Sequence, residues 1–348
     1  MVLVHILVAI FAFGFIIFFH ELFHYLAARA VGIKPKEFAI GFGKSFIVLQ
    51  GKKFFFLPKK GQEKYDLEEI SYHLKVLPLG GYVLFERPVK NEQGELEVLG
   101  EYLKVHPLKR IFIAVAGPIG NFILAFILMF ALFSPYISVH PEGKVIYVKE
   151  NSIAEKAGIR VQDRITKFNG KSVDSLNNIS KYVTSQDKLC IQWKSKDGHQ
   201  KNCVENNGKK IGVTFSMSVW QGVVFTADGF GNLLKQYTTA FFKVFLHLDI
   251  KNFSGPVGTV DAIQQSVPEW DNFLGILVLI NIALGSANLL LPLSVTDGGK
   301  IIIDIICLIR RKRFINTKYL DFISFGLMAC LFILTFFLDM HRIIERFL

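Results

Sequence analysis

The chain has 348 residues and a composition that excludes an ordinary soluble protein. Hydrophobic residues make up 51 % of it, 34 residues are Phe, and the mean hydropathy is +0.38. So apolar a chain is typical of an integral membrane protein. The formal net charge of +11 then indicates the Lys and Arg excess of membrane-protein loops rather than nucleic-acid binding.

Four apolar segments are long enough to cross a bilayer, and they predict an α-helical membrane protein with about four transmembrane helices. The first lacks the basic start and the cleavage site of a signal peptide, so we expect it to be retained. The apolar runs cover residues 2–28, 111–133, 273–293 and 322–338. They divide the chain into a first span (1–30), a loop (31–110), a second span (111–134), an inserted domain (140–222), a linker (223–271), a third span (272–299), a basic loop (300–321), a fourth span (322–340) and a tail (341–348).

Loop charge predicts how these spans are oriented. Lys and Arg are concentrated between the first and second spans and again after the third, where residues 310–313 read RRKR. Because cytoplasmic loops carry such an excess, we expect both loops in the cytoplasm. The region between the second and third spans then lies on the other side of the membrane.

The first cytoplasmic loop contains two segments with the pattern of β-hairpins. Residues 38–58 (FAIGFGKSFIVLQGKKFFFLP) and 70–86 (ISYHLKVLPLGGYVLFE) alternate in polarity and contain glycine turns. Their Phe-rich and Leu-rich faces predict a membrane-associated β-hairpin loop. Backbone that is not helical is tolerated there only where protein or a watery cavity covers it.

The inserted region has the pattern of a small β-rich α+β domain. Residues 144–173 alternate in short strands around a brief helix near residues 154–157, with turn signals at 157–158 and 169–170. Further strands are expected at residues 189–194 and 211–216. This arrangement resembles a PDZ domain, which implies an extracytoplasmic module that binds a peptide or a C-terminus along a sheet edge. A generic small β-rich domain is the alternative.

Two further features belong to the same outer region. Residues 230–249 have the pattern of an amphipathic helix that leads back to the membrane. Cys190 and Cys203 also lie here, and a disulfide between them is left open. Four cysteines in the whole chain do not make a disulfide framework.

The segment IFFHELFHYLAAR, residues 17–29, places two imidazoles and a carboxylate inside the first span. His20 and His24 are four residues apart and therefore share one face of a helix, with Glu21 beside them. This is the H-E-x-x-H pattern, in which two imidazoles bind zinc and the glutamate is a general base. The alternative is that the three are interior polar residues satisfied by hydrogen bonds. A central charge in a span costs about 2.5–3.5 kcal/mol, which favours the metal site.

A catalytic zinc ion needs three protein ligands and one open position. Asp297, in the segment NLLLPLSVTDGGK (288–300), is the candidate for the third. Pro292 ends the preceding helix, and Gly298 and Gly299 let the backbone turn sharply beside an ion. The alternative role for Asp297 is that of a helix cap or of a carboxylate in a turn at the membrane interface.

Six segments and the PDZ-like region together resemble the site-2 protease family of intramembrane zinc metalloproteases, in particular the bacterial regulator of sigma-E protease type. The segments are HELFH (20–24), ARAVGIKPKEFAIGFG (28–43), LPLGGYV (77–83), AGPIGNF (116–122), FSGPVGTVDAI (253–263) and PLSVTDGG (292–299). The resemblance implies one zinc ion held by His20, His24 and Asp297, and Glu21 as general base toward a zinc-activated water. It also implies a substrate-binding role for Asn288, Pro292, Gly43, Gly80 and Gly81.

The same resemblance implies a biological setting. The protein would perform regulated intramembrane proteolysis in the inner membrane of a bacterium, with the active site near the cytoplasmic side. Its substrates would be single-span membrane proteins, such as anti-sigma factors or signal-peptide remnants. The lipid bilayer and a peptide ligand of the PDZ-like domain would be its other partners, and nucleic acid would not be one.

The chain departs from the family pattern at four positions. Phe23 stands where a small residue is usual, Leu289 occupies the place of the family's asparagine next to Asn288, Ser294 replaces a proline, and Lys300 follows the two glycines. These departures leave an alternative function open, a catalytically weakened or inactive adaptor that binds partners through its PDZ-like domain. A metal transporter is a third hypothesis. It requires further carboxylates in the spans, and the four apolar runs contain only Glu21.

Overall fold

The computed structural model describes residues 2–57, 69–90, 96–100, 102–137, 144–172, 188–205, 211–216, 218–247, 255–313 and 315–347. The helices are α1 (Val2–Ala30), α2 (Pro107–Phe133), α3 (Ile153–Ala157), α4 (Val219–His247), α5 (Pro256–Ser266), α6 (Trp270–Leu290), α7 (Asp297–Ile309) and α8 (Lys318–Phe347). The strands are β1 (Glu37–Gln50), β2 (Lys53–Phe56), β3 (Ser71–Leu84), β4 (Glu86–Lys90), β5 (Leu96–Gly100), β6 (Val145–Val148), β7 (Arg164–Phe168), β8 (Lys171–Ser172), β9 (Lys188–Ser195), β10 (Gly198–Glu205) and β11 (Val213–Phe215).

The chain forms two compact units. One comprises Met1–Met129 together with Gly231–Leu348, and the other comprises Phe130–Phe230. In the described residues, four helices are long and apolar enough to cross a membrane, namely α1, α2, α6 and α8. The prediction of four helices with the length and apolarity of membrane spans is confirmed, and these helices fit an integral membrane protein.

The ends of two spans differ from the prediction. Helix α6 ends at Leu290, because Leu291 is extended (φ −71°, ψ 121°) ahead of Pro292, and a residue before proline avoids the helical region. Helix α8 ends at Phe347, beyond the predicted end of the span at residue 340, and it contains the buried carboxylate of Asp339. Asp339 accepts hydrogen bonds from the backbone N–H groups of Gly255 and Gly258 at the start of α5. This carboxylate therefore caps the start of α5.

The core of the membrane unit lies around α1. Its middle packs against α2, α5 and α6 through a cluster of buried apolar side chains: Ala9, Ala12, Phe13, Ile16, Leu124, Ile263 and Leu277. A second cluster lies beside the last turn of α1, at Ala27, Ala28, Ile33, Ile113 and Ala116. The two clusters hold α1 on either side of its polar residues.

The first predicted hairpin is confirmed. Strands β1 and β2 pair antiparallel from Ile47–Phe56 to Gln50–Lys53, and the turn between them uses Gly51 at φ +54°. The antiparallel pair β4–β5 follows later in the same loop.

The second predicted hairpin is wrong, because the two halves of β3 pair with β1 and not with each other. Residues 71–74 pair in parallel with 37–40, residues 81–84 pair antiparallel with the same four, and residues 71–74 also pair with 47–50. Glycines at 41 and 43, both with positive φ, let β1 double back. The end of β3, residues 81–84, consequently forms an outer strand of this sheet.

The second unit is a small α+β structure. Its sheets have the orders β10–β9–β7–β8 and β11–β6. Helix α3 begins at Ser152, whose Oγ accepts from the Glu155 N–H, and ends at Gly158 with φ +89°. The core contains Val145, Ile153, Ala154, Ala157, Ile159, Ile165, Phe168, Leu189, Ile191, Trp193 and Ile211.

Several expectations for this region can be compared with the structure. The brief helix and the strands near 189–194 and 211–216 are present. Cys190 and Cys203 face each other across β9 and β10 and form a disulfide. The linker helix, α4, begins at Val219, eleven residues before the predicted start. The PDZ-like fold stays a prediction, and residues 173–187 and 206–210 of that domain lie outside the described residues.

Candidate active site

Helix α1 places two imidazoles on one buried face. His20 and His24 are 6 % and 7 % exposed, and their Nε2 atoms are 3.2 Å apart. Asp297, the first residue of α7, brings its Oδ2 atom to 3.2 Å from His20 Nε2 and 3.3 Å from His24 Nε2. The structure thus brings together the three residues predicted as metal ligands, and their role as ligands remains a prediction.

The geometry of the three atoms fits a zinc ion. Tetrahedral zinc with bonds of about 2.0–2.1 Å holds neighbouring ligand atoms about 3.3–3.4 Å apart, close to the observed separations. Asp297 Oδ2 is buried and accepts no hydrogen bond from the described residues. A buried carboxylate oxygen without a donor is costly, and a cation between this oxygen and the two imidazoles removes that cost.

Groups on α2 orient both histidines. His24 Nδ1 donates to the carbonyl oxygen of Ile113 at 2.7 Å, which leaves the Nε2 lone pair directed at the cluster. His20 Nδ1 lies 3.1 Å from the amide nitrogen of Asn121, whose Oδ1 has no partner among the described residues. The two ends of an amide have nearly the same shape, so the Asn121 side chain can be turned over in the same space. Its Oδ1 then accepts from His20 Nδ1–H, and both groups are satisfied.

Close contact between α1 and α2 depends on two glycines. A Cβ atom at Gly117 would lie 2.2 Å from His24 Nε2 and 2.8 Å from His20 Cε1. A Cβ atom at Gly120 would lie 2.7 Å from the ring of Phe23. The absence of a side chain at Gly120 therefore provides the space for Phe23, and this departure from the family pattern leaves the two imidazoles in register.

The turn before α7 fixes the position of Asp297. Thr296 caps the helix, accepting from the Gly299 N–H and donating to the carbonyl oxygen of Leu293. A Cβ atom at Gly298 would lie 2.2 Å from the Leu289 carbonyl oxygen, and one at Gly299 would lie 1.8 Å from that of Leu293. Both positions require glycine. Because Thr296 is the cap, the alternative role of Asp297 as a helix cap is wrong.

The other departures from the family pattern also have structural partners. The Ser294 N–H donates to Ser324 Oγ on α8 at 3.0 Å, a bond that proline cannot make. Asn288 places its amide nitrogen 3.4 Å from His20 Nε2, so its side chain reaches the cluster despite the shifted register. Lys300 Nζ lies 3.5 Å from Asp297 Oδ1, the oxygen that does not face the histidines.

A cavity of about 220 Å³ opens onto this cluster. Glu21 lies in its wall, and the Glu21 Cγ atom is 3.0 Å from the position that a Cβ atom at Gly81 would occupy. Its lining consists of His20, Glu21, His24, Gly81, Tyr82, Val83, Phe85, Tyr102, Ile113, Ala114, Asn288, Val295, Thr296, Asp297 and Lys300.

The predicted substrate-binding residues are therefore divided. Asn288 and Gly81 line the cavity, whereas Gly43, Gly80 and Pro292 lie in β1, in β3 and in the turn after α6, outside the described lining. Sequence reasoning missed the orienting roles of Asn121 and Ile113. The signal for Asn121 was its place as the one polar side chain in an apolar run of 23 residues, 111–133.

Comparison with known proteins covers nearly the whole chain. The model of Peptidase family M50 matches residues 8–334. A protein of Campylobacter jejuni is 28 % identical over 98 % of this chain and 94 % of its own length. A protein of Fusobacterium nucleatum is 28 % identical over 90 % of this chain and 91 % of its own length. A protein of Clostridium acetobutylicum is 27 % identical over 94 % of this chain and 95 % of its own length. Each of the three is named "Putative zinc metalloprotease". The chain belongs to peptidase family M50, the site-2 protease family.

Proposed function

We propose that this metalloprotease is an intramembrane endopeptidase that cleaves membrane-spanning proteins. The observation that carries the proposal is the meeting of His20, His24 and Asp297 at tetrahedral spacing, within a bundle of helices long enough to span a membrane. These three residues would hold one zinc ion. When bound, zinc supplies a Lewis acid that acidifies water and polarises a carbonyl group.

Glu21 is the general base in this proposal. Glu21 lines the same cavity as the three ligands, one residue after His20. It takes a proton from the attacking water and delivers it to the amine that leaves. Asn288 directs its amide into the same cavity, where it can donate to a carbonyl oxygen of the bound chain.

The end of β3 presents the substrate. A transmembrane helix hides its carbonyl groups in its own hydrogen bonds, so the segment to be cleaved must become extended first. Residues 81–84 form an outer strand beside Glu21, and an extended chain can add to such an edge. Because Gly81 has no side chain, Glu21 of α1 can lie directly against the strand to which the substrate would add.

The setting follows from the second unit and the loops. The disulfide between Cys190 and Cys203 favours an oxidising compartment, which supports an extracytoplasmic position for the PDZ-like domain. In the proposal this domain binds a peptide or a C-terminus, and the basic loops face the cytoplasm of a bacterium. The substrates are single-span proteins of the inner membrane, of the anti-sigma-factor or signal-peptide-remnant class, cut by regulated intramembrane proteolysis.

The test is a cleavage assay in detergent with a single-span substrate, together with zinc analysis. We expect Glu21→Gln to keep one equivalent of zinc and to lose about 10²–10⁴-fold in cleavage rate, because the proton transfer is lost. Glu345→Gln, at an exposed carboxylate on α8, is the matched control and should cleave like the wild type. Wild-type cleavage by Glu21→Gln would refute the assignment of the base. A wild-type protein that binds no zinc would refute the function.

A further inference from the structure

Arg110 is the largest side chain that is fully buried in the described residues, at 2 % exposure. Its Nε donates to Asp304 Oδ1 at 2.7 Å, and its Nη2 contacts the same oxygen. The remaining donors bind carbonyl oxygens, Nη1 that of Leu103 at 3.2 Å and Nη2 that of Arg313 at 2.7 Å. Asp304, on α7, is itself 4 % exposed. One guanidinium therefore joins the start of α2 to α7 and to the turn that follows α7.

Stability alone is a weak explanation for this pair. A buried ion pair loses so much hydration that well-packed apolar side chains often serve as well or better. In agreement, burial raises the pKa of the Asp304 carboxyl and outweighs the opposite effect of Arg110. A buried pair of this kind can instead fix one packing arrangement, and its position in the fold indicates which one.

Both helices use one face for the pair and for the metal cluster. On α7, Asp297 and Asp304 are seven residues apart, two helical turns, so both point the same way. On α2, Arg110 is followed at helical spacing by Ile113, Gly117 and Asn121, the residues that contact the two histidines. The same face of α2 thus contacts the two histidines of α1 further along the helix, and it contacts α7 through Arg110 near its start.

We infer that Arg110 and Asp304 are a positioning pair, which fixes the register of α7 against α2 and thereby sets Asp297 Oδ2 at bonding distance from the metal held by His20 and His24. Helix α7 has only 13 residues and is entered and left through turns, so its register needs such an anchor. The carbonyl bond to Arg313 holds its far end in the same way. The inference rests on the proposed function, since it assigns the pair to the metal site of that function.

The experiment separates positioning from stability with two variants of the full chain in detergent. Arg110→Met/Asp304→Leu replaces the pair by apolar side chains, and it should keep the wild-type melting temperature of the metal-free protein. It should bind zinc about 10–100-fold more weakly in a chelator competition, the loss typical of removing a group that orients a ligand. Asp304→Asn keeps an acceptor for Arg110 but leaves its charge unpaired. It should melt at a lower temperature and still bind zinc within about 3-fold of the wild type.

Asp339→Ala is the matched control, since it removes another buried carboxylate of the same unit far along the chain from α7. It should lower the melting temperature and leave zinc affinity unchanged. Zinc affinity that follows melting temperature across the variants, or a double variant that binds zinc like the wild type, would overturn the inference while the proposed function stands. A wild-type protein without zinc would instead refute the proposed function, and with it this inference.

Discussion

Helices α1 and α7 contribute to the same cluster in different ways. The two histidines of α1 need only a regular helix, because a spacing of four residues brings both to one face. Asp297 depends on a turn in which Thr296 caps α7 and two glycines touch carbonyl oxygens of the preceding segment. Two ligands are therefore positioned by local periodicity and the third by tertiary contacts.

The largest loss of zinc is expected from removing a ligand on α1 or the ligand on α7. His24→Ala and Asp297→Ala should each lose stoichiometric zinc, because two ligands do not hold a catalytic ion tightly. Zinc analysis after dialysis measures this, and circular dichroism checks that the helices remain. Zinc retained at one equivalent in either variant would contradict the ligand assignment on that side.

Adding a methyl group at the close contact beside the histidines, or at the one beside Asp297, should have different effects. Gly117→Ala places a Cβ atom against His24 and should lower zinc affinity, whereas Gly299→Ala forces the turn apart. We expect Gly299→Ala to cost about 1–3 kcal/mol of unfolding free energy in addition to zinc affinity.

The control for both is Gly275→Ala in α6, where a Cβ atom has nothing within 4 Å. It should bind zinc like the wild type, with stability unchanged or higher by up to about 1 kcal/mol, because alanine is the better helix former. Equal effects in the three alanine variants would show that the close contacts do not set the site.

A smaller effect is expected at the group that orients His20. Asn121→Ala should weaken zinc binding about 10–100-fold, because Nδ1 then loses its acceptor. Asn121→Asp keeps an acceptor at this place and should bind zinc more tightly than Asn121→Ala. The reverse order would contradict the proposed amide orientation.

The smallest effect is expected at the turn's bond to α8. Ser294→Pro removes the N–H that binds Ser324 Oγ and should cost about 1 kcal/mol of unfolding free energy. Zinc affinity should stay within about 3-fold of the wild type, since Thr296 and the glycines still fix Asp297. Loss of zinc in this variant would show that α8 takes part in setting the third ligand.

The features that sequence predicted are those with a local signal. The length of the apolar segments predicts four spans, and the spacing of His20 and His24 predicts that both lie on one face of a helix. Pro292 and the two glycines predict the turn. The features that it missed depend on partners distant in the chain. The alternation in residues 70–86 indicates a β-strand but not its partner, and both halves of that strand pair with β1.

The departures from the family pattern illustrate the same limit. The sequence does not show how the bulky ring of Phe23 is accommodated, because the glycine that provides its space, Gly120, is 97 positions later in the chain. Arg110 and Asp304 carried no signal as a pair, because charged residues near the ends of spans are ordinarily solvated. Only the packed helices show that these two groups meet in the interior.

The X-ray absorption spectrum of the zinc-loaded protein identifies the atoms bound to the metal. Two imidazole nitrogens and a carboxylate oxygen are predicted, all at about 2.0–2.2 Å from zinc, with sulfur absent. In His24→Ala one imidazole contribution should disappear, or the zinc itself. A sulfur ligand, or a wild-type spectrum unchanged in both His24→Ala and Asp297→Ala, would contradict a metal centre built by α1 and α7 together.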